Sequence, residues 1–185
     1  MRVQGDFGVF DEGVTRGLLR RSLLWHRGHE TESLARIDFS DNPIIKFVPS
    51  WSWMAYTGGI DYLEPDFNNY EWEDLQTPWS GGSHESNVAI TAKARECDLG
   101  AAREDEGELI FDDPDAPLQE KIVCVVLGKA KGSASPETQR NFVLIVTPKK
   151  VQGLIADGGE VYERIGAGYL PGRCIAHYSF EVHIH

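Results

Sequence analysis

IVCVVL at 122–127 and FVLIV at 142–146 decide the fold class, because neither run alternates with polar residues. Short apolar runs rich in β-branched residues and closed off by polar text read as central strands buried on both faces. The polar stretch Gly132–Arg140 lies between them and reads as a turn, so the two strands form an antiparallel pair. Working outward, Leu34–Phe39, Ile44–Val48, Trp51–Tyr56, Ile60–Leu63 and Asn87–Arg95 read as further short strands separated by Pro, Gly, Asn and Ser. Val161–Ile165 follows, then a loop, GAGYLPG at 166–172, whose glycines suit a β-turn. In the closing IAHYSFEVHIH, Ala176, Tyr178, Phe180, Val182 and Ile184 alternate with polar partners, as on a half-buried strand.

One segment reads as a helix, from about Asp11 to His26, with acids at its start and Gly28 after its end. At 100° per residue, Phe10, Val14, Leu18 and Trp25 share one face, while Leu19 and Leu23 lie nearly opposite. A surface helix has one apolar stripe. This one needs cover on two sides, which makes Leu19 and Leu23 candidates for an interface with a protein partner or a second copy. The expected fold is mainly β, an antiparallel sandwich or barrel-like domain with one N-terminal helix (about 11–26), in a single domain spanning 1–185.

The 185 residues carry 18 Lys+Arg against 29 Asp+Glu, a formal charge of −11. That balance argues against nucleic-acid and anionic-membrane partners, whose phosphates need clustered bases. The acidity is local. Residues 61–74 hold six acids and no base, and 103–115 hold seven acids and one Arg, so the rest of the chain sums to +1. Both segments read as solvated loops, the second lacking the oxygen spacing of a calcium loop. No apolar run approaches the roughly 18–20 residues of a membrane span, and the N-terminus has no apolar signal region. Cys97, Cys124 and Cys174 are odd in number and widely spaced, which fits a reducing compartment. A cytoplasmic protein without a cofactor is the expectation.

Three local patterns bear on chemistry. On the last strand His177, Glu181, His183 and His185 fall on one face, and Glu181, His183 and His185 are candidate metal ligands, completed by His84 or His26. The bland alternative is a solvated strand face. Ser80, Ser83 and His84 stand together in WSGGSHES but without a nucleophile elbow, and GAGYLPG opens no helix and so is no dinucleotide fingerprint. In PSWSWMAYTGG at 49–59, a strand would put Trp51 and Trp53 on one face and Tyr56 on the other, as core aromatics or as the lining of a pocket for a small apolar ligand. An enzyme built there would draw on Tyr56 with His177 or His183 for proton transfer.

VPSWSWMAYTGGIDYL at 48–63 also resembles the PSWSW signature found downstream of the HET domain in fungal heterokaryon-incompatibility proteins. LLRRSLLWHR (18–27) and LARIDF (34–39) resemble the stretch before that signature. ELIFD (108–112), KIVCVVLGKAK (121–131), FVLIVTP (142–148) and VYERIGAGYLPGRCI (161–175) resemble the blocks after it. The similarity spans roughly 7–175, in order. The Ser-Tyr-x-Trp-Gly-type motif of the HET domain proper does not occur, so no activity of that module is carried over. The chain resembles the family's C-terminal portion standing alone. That implies a non-catalytic binding or regulatory module acting in self/non-self recognition and programmed cell death. The alternative class is a small β-rich cyclase, isomerase or hydrolase.

Overall fold

The antiparallel pair at the centre is present in the computed structural model, which describes residues 10–11, 14–15, 19–42, 48–76, 89–101, 106–116, 122–149 and 160–185. In chain order the strands are β1 (Phe10–Asp11), β2 (Val14–Thr15), β3 (Trp25–Arg27), β4 (Ala35–Arg36), β5 (Tyr56–Thr57), β6 (Ile60–Tyr62), β7 (Tyr70–Trp72), β8 (Ile90–Glu96), β9 (Glu108–Phe111), β10 (Val123–Ala130), β11 (Arg140–Pro148), β12 (Val161–Pro171) and β13 (Phe180–Ile184). Among the described residues a single short α-helix, α1 (Leu19–Ser22), precedes β3.

β10 pairs with β11 from Val123↔Val146 to Lys129↔Asn141, and β11 pairs with β12 along nearly its whole length. Because strand side chains alternate, Val123, Val125 and Leu127 join Phe142, Leu144 and Val146 in one core. Cys124 and Val126 join Val143 and Ile145 in a second core on the other face. Each of these side chains contributes about 1.5–3 kcal/mol by leaving water, which is why this sheet needs no polar face.

The outer edges of this meander are each shared by two strands. β10 pairs with β8 over Val123–Val125 and with β7 over Gly128–Ala130. β12 pairs with β13 at Val161 and Tyr162, and with β9 from Gly166 to Tyr169. β8 and β13 pair antiparallel from Phe180↔Ala94 to Ile184↔Ile90. The path β8–β10–β11–β12–β13 therefore leads back to β8. Five strands in a ring cannot all be antiparallel to both neighbours, and the exception is the parallel β12–β13 contact. The two seams are only three and two residue pairs long, so the mixed sheet is barrel-like rather than a fully laddered barrel.

Several expectations are corrected. Among the described residues of the helix expected at about 11–26, only α1 is helical; the β1–β2 pair precedes it and β3 follows it. Its two-sided apolar pattern has a simple cause: Leu19, Leu23, Leu24 and Trp25 are all buried, and a one-turn helix running into a strand can turn all four inward. Leu19 and Leu23 belong to the chain's own core and present no interface. The stretch Trp51–Tyr56 is not a strand but a tight 3-10 turn at Trp53–Ala55, capped by Ser52, whose hydroxyl accepts from Met54 N at 3.3 Å. GAGYLPG is strand rather than loop. A Cβ on Gly168 would lie 2.0 Å from the Glu108 carbonyl oxygen, so the glycine serves close approach of β9, not a turn. The acidic stretch 103–115 contains β9 and the buried Asp112, so it is not simply a solvated loop. The last strand starts at Phe180, five residues later than expected, with Val182 and Ile184 buried and Glu181 exposed. Residues 44–47 of one expected strand, and Ser80, Ser83 and His84, lie outside the described residues. No helix among the described residues is long and apolar enough to cross a membrane.

Candidate functional site

On β12, Tyr162 and Arg164 share the inward face, so a guanidinium enters the interior where the pattern calls for an apolar side chain. Arg164 is buried, and Asp112, just past β9, is its counter-ion. Arg164 Nε donates to Asp112 Oδ2 at 3.2 Å and Nη2 donates to Oδ1 at 3.0 Å, a bidentate pair. Nη2 also donates to the Trp25 carbonyl oxygen at 2.6 Å, and the guanidinium carbon lies 3.1 Å from the centre of the Trp25 ring. Burial raises the Asp112 carboxyl and lowers the Arg164 guanidinium, and each partner's charge opposes that shift in the other. The bidentate geometry and the very high intrinsic basicity of guanidinium keep the pair ionised.

The PSWSW segment braces this cluster. Trp25 Nε1 donates to the Trp51 carbonyl at 2.9 Å, tying β3 to the segment. Ser50 Oγ accepts from the Arg164 backbone N–H at 2.9 Å and donates to the His185 carbonyl oxygen. Ser50, Trp51 and Ser52 are fully buried. A buried hydroxyl needs partners, and Ser50 finds them on β12 and at the residue that follows β13.

Above the ion pair lies an open cleft of about 330 Å³. Leu34, Phe111 and Ile165 give it apolar walls, Arg36 and Glu163 charge its rim, and Tyr56 stands beside them. Tyr56 packs on Trp25 with ring centres 5.3 Å apart, and Arg36 lies 5.8 Å from the Tyr56 ring centre. Burial first, then the Asp112 charge, push the Tyr56 phenol up to about 12. An unfolded tyrosine ionises near 10. The protonated phenol's contribution is therefore whole below pH 10 and is lost as pH climbs from about 10 to about 12, about 3 kcal/mol. Alkaline unfolding followed by circular dichroism should shift to higher pH in Tyr56→Phe. An unchanged midpoint would show that the phenol does not resist ionisation.

The other candidates are scattered. Trp51 is buried in the core and Trp53 is half-buried in the tight turn. Tyr56 lines the cleft over Arg164, whereas His177 lines a different pocket. His183 Nδ1 is 2.9 Å from Thr91 Oγ1, on the outer face of β13. The proton-transfer set of Tyr56 with His177 or His183 is thus not brought together. Glu181 Oε1 and His183 Nε2 are 4.0 Å apart. Burial lowers the His185 pKa, with Lys149 and His183 adding to it. His26 is buried on β3 with Nδ1 2.7 Å from the Arg27 carbonyl oxygen. Among the described residues no group of three or more His, Cys, Asp or Glu side chains is placed to hold a metal ion. All three cysteines are free.

Sequence reasoning missed Trp25, Arg36, Asp112 and Arg164. One signal was present: an Arg amid the apolar positions of VYERIGAG, and an acid directly after the strand ELIF. A charge inside a buried pattern needs a counter-ion.

The fold and the site together define a small mixed-sheet β domain with a cleft over a buried Arg–Asp pair. No family model, curated protein or solved structure matches the chain.

Proposed function

We propose that the chain is a non-catalytic binding and regulatory module of the heterokaryon-incompatibility type, acting in the cytoplasm on a protein partner. The observation that supports this reading is the disposition of the PSWSW segment. Its serines and first tryptophan are buried braces, and they carry Tyr56 to the lip of a cleft large enough for one bulky side chain. The groups around that cleft suit contact rather than proton transfer. Asp112 accepts two hydrogen bonds from Arg164, and Tyr56 stays protonated far above neutral pH. An aromatic beside apolar walls with a charged rim is the composition of a contact hot spot.

The purified chain should be titrated calorimetrically with a purified HET-type α/β module of the same family. A one-to-one complex is expected, weakened about tenfold, or ~1.4 kcal/mol, by Tyr56→Ala and by Arg36→Glu. Both variants should keep the parent's circular dichroism. An absence of binding heat at about 100 μM, where even a weak signalling contact registers, would overturn the reading.

A further inference from the structure

A second pocket, of about 230 Å³, lies where β8, β10 and β11 meet the segment after β12. Its lining holds Arg95 of β8, Lys129 of β10 and the imidazole of His177, while Gln139 and Asn141 form part of its wall. No acidic side chain lines it among the described residues, although acids outnumber bases 29 to 18 in the chain. The wall is fixed from behind: Gln139 Nε2 donates to the Ala130 carbonyl at 2.7 Å and Asn141 Nδ2 donates to the Gln139 carbonyl at 2.7 Å.

Arg95 carries the argument. Its Nε is buried and has no hydrogen-bond partner. A buried donor without an acceptor costs roughly 1–3 kcal/mol, more when charged, and an oxyanion that draws the Arg95 guanidinium toward this pocket, away from the neighbouring cleft with Glu73, Asp74 and Glu181, would relieve it. Lys129 shares its ammonium with Glu73 and contributes less. Guanidinium binds phosphate through parallel N–H donors, and its fork with Lys129 beside it favours a dianion over a carboxylate.

We propose that this pocket binds a phosphate-sized oxyanion, with Arg95 as the anchor, Lys129 as a flanking cation and His177 as a flanking hydrogen-bond donor. The reading is independent of the cleft at Tyr56. Phosphate would be titrated into the full chain at constant ionic strength, with amide chemical shifts as the readout, and a phosphate monoester and acetate in parallel. Saturable one-site binding of phosphate is expected, with shifts confined to residues around 95, 129, 139–141 and 172–177. The monoester should bind comparably and acetate at least about fivefold more weakly, a dianion having more charge and oxygens to pair.

Arg95→Lys, which keeps the charge but lacks Nε, should weaken phosphate binding about tenfold. His177→Ala, at an exposed position, should weaken it about threefold, the scale of one exposed hydrogen bond. Lys131→Gln, outside the pocket, should leave it unchanged. Linear non-saturating shifts, an equal loss in Lys131→Gln, or full binding by both Arg95→Lys and His177→Ala would overturn the assignment.

Discussion

Arg164→Met should lower the stability of the fold by about 3–5 kcal/mol, the cost of leaving a buried charge without its partner. For a chain of this size that corresponds to a fall of about 10 °C in Tm. The loss arises at Asp112, which is buried and would keep its carboxylate in a low-dielectric site with both Arg164 hydrogen bonds gone. Its folded pKa would then stand above the unfolded value near 4. The orphan acid would be tolerated below pH 4 and would destabilise increasingly as pH rises through its folded pKa. The deficit of Arg164→Met should accordingly be smaller at pH 4 than at pH 7. The double variant Asp112→Leu/Arg164→Met should lose less than Arg164→Met alone, because apolar groups of similar volume carry no desolvation penalty. Denaturant titrations at the two pH values read all three outcomes. A single variant within about 1 kcal/mol of the parent, inside the ordinary scatter of substitutions, would mean that the pair does not hold the fold together.

Trp51→Ala should cost about 3–5 kcal/mol, and Trp53→Ala about 1 kcal/mol. The two indoles are two residues apart in one motif, yet Trp51 has no exposed surface and packs with Leu23, Leu24 and the strands of the barrel-like core. Trp53 sits in the 3-10 turn and is half-buried. Removing the first indole leaves a void that a tightly packed interior cannot close. Removing the second leaves a position that water can reach. Trp51→Phe should recover part of the loss. Equal denaturation midpoints for the two alanine variants would contradict the burial difference.

The parts of the fold that were legible share one property, a run of apolar residues that fits one or both faces of a strand and is long enough to be unambiguous. IVCVVL and FVLIV had no polar face, and both faces proved to be core. FEVHI alternated, and Val182 and Ile184 point inward while Glu181 is exposed. The segment 11–26 misled because its apolar residues fit no single period. Leu19 and Leu23 lie on a short helical turn and the residue after it, Trp25 on a strand, and only their common burial unites them. PSWSWMAY misled because a Ser cap at the right offset replaces strand alternation with a tight turn. Of the candidate site, only Tyr56 was named from the sequence. Its neighbours Arg36, Asp112 and Arg164 are separated by 76 and 52 residues along the chain, so no local spacing links them.

The amino-acid sequence by itself determined that the chain is β-rich and which strands lie at its centre, because burial on one or both faces is written in the order of apolar residues. Tertiary structure alone decided that Arg164 meets Asp112 under Tyr56, and that Arg95 stands between an acid-free pocket and a larger cleft lined by Glu73, Asp74 and Glu181. An ion pair or an unanswered donor is a relation between strands, and strand pairing is settled by the packing of the whole sheet.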